Sequence, residues 1–161
     1  MSKILAGALA APLLLGSLAA VPVAADSTTT TATASATGQA KKASRTVAPS
    51  RSRAPYRFGS INYNKWYAKH YMAYKYGWGK KHYRALVKLW NHESGWNQRA
   101  HNGGSGAHGI PQALPGSKMA SAGKNWRSNP ETQIKWGLSY IKGRYHTPAS
   151  AWNSWQHKGW Y

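Results

Sequence analysis

The chain has 161 residues and sets 22 Lys and Arg against three acidic residues, a formal charge of +19, with no cysteine. The missing cysteines exclude a disulfide framework and a thiolate zinc site, so stability must come from packing. The charge favours polyanionic partners but does not choose among nucleic acid, anionic lipid and acidic wall polymer, because all three attract Lys and Arg through the same field.

Residues 1–25 read as a secretory signal peptide. Lys3 supplies the positive charge, "ILAGALAAPLLLGSLAAVPVA" the apolar stretch, and Val23-Ala24-Ala25 the small-residue cleavage site. Pro12 and Pro22 make it a poor spanning helix, so no stable membrane insertion is expected after cleavage. The mature chain would begin at Asp26 with a charge of +18. Export favours anionic wall polymers as partners over any specific nucleic acid, and a secreted, extracellular or wall-associated monomer is expected. Residues 26–55 contain almost no large apolar side chains and read as a disordered Thr/Ser/Ala-rich basic linker, because they cannot bury enough surface to offset chain entropy.

All nine Trp, all ten Tyr and the single Phe lie from Tyr56 onward, which marks residues 56–161 as one domain. Asn64 is expected to cap a helix running to about Tyr76, with Trp66, His70 and Tyr74 along one face and "GWG" at 77–79 breaking it. A second helix is expected over about 81–93, buried through Tyr83, Leu86, Val87, Leu89 and Trp90, with Glu93 continuing that face. "HNGGSGAHG" is a glycine-rich loop, and "LPGSKMASAGKNW" is largely irregular with one short helix. Asn129-Pro130 opens a helix with Ile134, Leu138 and Ile141 inward, and Thr147-Pro148 opens a short last one through Ala151, Trp152 and Trp155. With no alternating strand pattern, the fold class is mostly α.

The acids narrow the chemistry. A Ser-His-Asp triad lacks its orienting carboxylate, and His92-Glu93-Ser-Gly-Trp lacks the second His of a zinc protease helix. The seven histidines, among them His92, His101 and His108, read as surface or wall-contacting side chains rather than a metal site. Glu131, in the first turn after Asn129-Pro130, complements the helix dipole and reads as structural. Glu93 has no such explanation, because the dipole disfavours a negative charge near a helix C-terminus. A carboxyl beside Leu89 and Trp90 is partly desolvated, which raises its pKa and suits a glycosidase general acid, although the many cations oppose that shift.

Several linked stretches resemble one family in the same order: "ESGW" at 93–96, "SGAHGIPQALPGSKMA" at 105–120, "NWRSNPETQIKWGLSYIKGRY" at 125–145 and "AWN" at 151–153. Together they resemble the soluble lytic transglycosylase family of the lysozyme-like superfamily, most closely small secreted proteins of Gram-positive bacteria, particularly actinobacteria. The resemblance covers residues 64–161 and implies a lysozyme-like helical domain acting on peptidoglycan glycan strands, with no metal or organic cofactor. It implies that Glu93 is the catalytic acid and that Ser94 and Gln112 help hold it and the sugar. Here "GIPQ" stands where the family has Gly-Leu-Met-Gln, and Ala151-Trp152-Asn153 where it has Ala-Tyr-Asn. Gln112 and Asn153 carry over as sugar contacts, whereas Trp152 carries over only in part, since an indole donates but does not accept. Tyr140 matches a cleft-facing Tyr but could equally be core. Of Trp78, Trp96, Trp126, Trp136, Trp155 and Trp160, one or two would stack on sugar and the rest pack. The reading is a lytic transglycosylase; a wall-binding or aggregation-promoting surface protein, a hydrolytic muramidase and a cationic antimicrobial or nucleic-acid binder remain open.

Overall fold

A computed structural model describes residues 47–161; the expected signal peptide and most of the expected linker lie outside the described residues. The last part of that linker does not behave as a tether. Arg51–Arg53 form a 3-10 turn, and the Arg51 guanidinium lies 4.0 Å from the Phe58 ring centre and donates to Glu131 Oε1 at 2.8 Å. Composition missed this because one ion pair and one cation–π contact anchor a segment that has almost no apolar side chains to bury.

Ser60, not Asn64, opens the first helix, α1 (Ile61–Tyr76): its Oγ accepts from Tyr63 N at 3.1 Å, and Gly77 in the left-handed region closes the helix. Asn64 lies inside it, fully buried, and its Nδ2 donates to Trp96 O and Gln98 Oε1, both at 3.0 Å. Both residues can cap a helix, but the longer amide reaches across to the chain beyond α2, and burial decides its use. Tyr63, Tyr67, Ala68 and Met72 form the inward face, and Trp66, His70 and Tyr74 share the more open one.

Helix α2 (Lys80–Ser94) runs one residue further each way than expected and buries Ala85, Leu86, Leu89 and Trp90 before Gly95, in the left-handed region, ends it. The glycine-rich loop folds over itself through isolated bridges between His101, His108 and Ala113, and Gly116–Ala122 supply the short expected helix as a 3-10 segment. Asn129 caps α3 (Pro130–Tyr145) by accepting from Glu131 N at 2.9 Å, and Thr147 caps α4 (Pro148–Lys158) by accepting from Ser150 N at 3.2 Å. The described residues contain no strand beyond those bridges.

Helix α3 is central: its Ile134, Leu138 and Ile141 row is fully buried, and it packs on α1, α4 and the 3-10 segment. The most extensive helix pairing is α2 with α4, which fixes the C-terminal half of α2. Truncating Leu86, Leu89 or Leu138 to Ala would cost about 2–5 kcal/mol each, since each is fully buried.

Candidate functional site

The site assembles where α2 ends. Leu86, Leu89 and Glu93 follow one helical face, so the stripe that packs α2 also carries Glu93 inward. Both Glu93 carboxyl oxygens are out of solvent and have no hydrogen-bond partner. Burial pushes the carboxyl up to about 7, and the Trp155 indole, near it but outside hydrogen-bonding geometry, pulls weakly the other way. No Lys or Arg is among the groups that move it, so desolvation prevails over the chain's overall positive charge. A carboxyl in this state carries a proton near neutral pH, releases it readily and can take one back. A buried, unpartnered acid is destabilising, and such groups concentrate at functional sites.

Around it, Ser94 Oγ donates to Ile110 O at 2.8 Å and ties the end of α2 to the "GIPQ" segment. Trp90 Nε1 donates to the Tyr161 hydroxyl at 2.9 Å, which donates to Pro111 O at 3.1 Å. Tyr161 is fully buried; burial and the nearby Glu93 both raise its phenol pKa. The segment is held from below by Gln133, whose Oε1 accepts from Ile110 N at 2.9 Å while Nε2 donates to Gln98 O at 3.0 Å and Trp126 O at 2.8 Å. Gly109 is required there, since a Cβ would lie 2.6 Å from the Gln133 amide at a φ of +76°.

Gln112 lies in this segment at a φ of +49°, a strained value for a side-chain-bearing residue. Its Nε2 donates to Gly109 O at 2.9 Å and, more weakly, to Ala100 O at 3.4 Å, so the amide nitrogen is turned into the loop. Trp152 and Trp155 stack with ring centres 5.2 Å apart, and His92 lies against both, at 5.5 and 4.3 Å. Asn153 is exposed on α4. Tyr140 stacks on Trp136 at 5.3 Å and meets Tyr161 edge-on at 6.0 Å; burial pushes its phenol up to about 12.

The structure thus gathers Glu93, Ser94, the Gly109–Gln112 segment, Trp155 and Tyr161, with Trp152 beside His92. Tyr140 adjoins this group through Tyr161. Sequence reasoning placed Trp155 only among six Trp that stack on sugar or pack, and did not single out Tyr161 or Gln133. Gln133 had a signal, a polar side chain one turn from Gly137 on a helix with an apolar row; Tyr161 had none. Trp78 and Trp96 are core, and Trp126 and Trp136 are partly open.

Glu131 lies elsewhere. It opens α3, accepts from the Tyr63 hydroxyl at 2.6 Å and pairs with Arg51. His101 and His108 have ring centres 5.7 Å apart, and among the described residues no three His, Asp or Glu side chains converge on a metal position. No described helix is long and apolar enough to cross a membrane.

The model of one protein family, described as "Transglycosylase SLT domain", matches residues 73–156, which include α2, the Gly109–Gln112 segment, α3 and most of α4. No curated protein and no solved structure matches the chain.

Proposed function

The chain belongs to the transglycosylase SLT domain family, which acts on peptidoglycan, and from that premise we propose that it is a secreted lytic transglycosylase cleaving the MurNAc-β-1,4-GlcNAc bond to leave a 1,6-anhydro-MurNAc end. The observation that supports this best is Glu93, a buried, unpartnered carboxyl with a pKa of about 7.

Protonated Glu93 gives its proton to the glycosidic oxygen as the bond from that oxygen to C1 breaks, with the electron pair leaving on GlcNAc. The resulting carboxylate takes the proton of the MurNAc C6 hydroxyl while O6 bonds to C1, which restores protonated Glu93 and consumes no water. One carboxyl therefore completes the cycle. A hydrolase normally positions a second one as nucleophile or base. The other described acid, Glu131, is committed to Arg51, Tyr63 and the start of α3.

Ser94 keeps the end of α2 against the "GIPQ" segment and so sets Glu93 relative to the glycan. Gln112, Trp152, Asn153 and Tyr140 are proposed saccharide contacts. Trp152 would act by stacking, its ring already aligned with His92. The substitutions in "GIPQ" and "AWN" favour a second reading, a wall-binding surface protein that keeps the fold without cleavage.

Purified cell wall digested with the full chain tests the proposal. The expected product ends in 1,6-anhydro-MurNAc and incorporates no oxygen-18 from labelled water, and Glu93→Gln abolishes clearing while wall binding persists. Labelled reducing MurNAc ends would make it a hydrolytic muramidase, clearing that survives Glu93→Gln would remove Glu93 from the chemistry, and binding without any clearing would leave the wall-binding reading.

A further inference from the structure

The N-terminal half of α2 carries a different kind of site. From Arg84 to Glu93 the helix rises roughly 14 Å, so this region is separate from the acid. Two hollows, of about 470 and 270 Å³, lie between α1 and α2 and adjoin at Lys69 and Tyr83, which line both, so together they form the α1–α2 groove. Lys65 and Lys69 face it from α1, and Lys80 and Arg84 from α2.

Each helix contributes two cations four residues apart, an arrangement that destabilises an isolated helix by like-charge repulsion. No acid lines either hollow, and among the described residues the one ion pair is Arg51 with Glu131. The repulsion is therefore uncompensated within the described residues, and an anion bridging the two rows would relieve it. The floor is aromatic. Tyr83 is half-buried with Lys69 Nζ 5.9 Å from its ring centre, and Trp66 is half-buried beside it. The N-terminus of α2 has no side-chain cap and adds a positive field at Lys80.

A cationic rim over an apolar strip fits a chain that alternates anionic groups with short hydrocarbon units. It fits a nucleic acid less well, because stacking a base needs a whole open ring face, whereas Trp66 and Tyr83 are each half-buried and leave only part of each ring open, enough for a thinner carbon chain. We propose that the α1–α2 groove is a second binding site, for a linear polyol phosphate polymer of the cell wall. Its phosphates would lie between the Lys65/Lys69 and Lys80/Arg84 rows, with the carbon chain along Tyr83 and Trp66. The wall as the source rests on family membership, and the site does not depend on Glu93 being catalytic.

The probe is purified poly(glycerol phosphate), titrated against the full chain at several salt concentrations. A variant with Lys65, Lys69, Lys80 and Arg84 all changed to Gln should bind about tenfold or more weakly, with a shallower salt dependence. A control with the exposed Lys118, Lys124, Lys142 and Lys158 changed to Gln loses the same charge and should change binding far less. Cleavage of phosphate-free glycan should be the same in both variants and the wild type. Lysine acetylation of the unaltered protein gives a reading that no folding defect can affect: the polymer should protect Lys69 and Lys80 and leave Lys118 and Lys142 reactive. Equal losses in both variants, or uniform protection, would overturn the site and leave only the general field. Single-stranded DNA protecting the groove more strongly than the polymer would overturn the choice of ligand, as would equal retention on walls stripped of phosphate polymer.

Discussion

Holding Glu93 without a partner should make the fold weaker as pH rises, and Glu93→Gln isolates that effect. Burial lifts the carboxyl from 4.5 to about 7. Between those values the native state keeps a proton that the unfolded state has lost, so stability falls with rising pH across that window and the loss is complete above about pH 7. Each tenfold change in proton affinity is worth about 1.4 kcal/mol, which puts the full loss at about 3 kcal/mol. Gln does not titrate, so the stability of Glu93→Gln minus that of the wild type should rise by about 3 kcal/mol from pH 4 to pH 8.5, about 10 °C in Tm for a domain of this size. Thermal and urea unfolding of the pair in matched buffers measures it. A difference that stays flat across that range would mean that solvent or a partner stabilises the Glu93 carboxylate in the folded protein, and the acid role would lose its physical basis.

Trp155→Phe removes the one group that lowers the Glu93 pKa, so the alkaline limb of the pH–activity profile should move to higher pH; an unmoved limb would detach the indole from the acid. Gly137→Ala would place a Cβ 2.8 Å from the Trp90 ring and 3.0 Å from Pro111 Cβ, so it should cost about 1–3 kcal/mol in urea unfolding and reduce wall lysis by disturbing the segment beside Glu93. Glu131→Gln should cost about 1–2 kcal/mol, by weakening the Arg51 and Tyr63 contacts and the charge at the α3 start, and leave the pH–activity profile unchanged.

The helices were legible because their signals are local. Asn129-Pro130, Thr147-Pro148, Gly77 and the Leu86–Leu89–Glu93 face each act within a turn or two, and each expected helix forms, with the start of α1 displaced by a turn from Asn64 to Ser60. The burial of Glu93 was legible for the same reason, as a carboxyl continuing an apolar stripe. Contacts between distant segments were not. Ser60 and Asn64 can both cap a helix, and only the position of the chain at Trp96 and Gln98 decides between them. Arg51 finds Glu131 eighty residues later, and Tyr161 returns to Trp90 and Pro111 without any periodicity to announce it. Motif matching located the "GIPQ" segment but not the orientation of Gln112, which its own bond to Gly109 O holds.

Neutral amides carry much of the internal bracing. Gln133 joins three backbone segments, Asn64 joins α1 to the chain after α2, and Gln98 returns to Gly59 O at 3.0 Å. None of these bonds links two charges, so dissolved ions do not weaken them as they weaken attraction between exposed charges. Adhesion to an anionic surface and internal cohesion consequently respond to different solution variables. If exposed charges hold the chain to an anionic surface, a rise in ionic strength would release it while its architecture stays whole, and dilution would let it rebind at a new position without refolding.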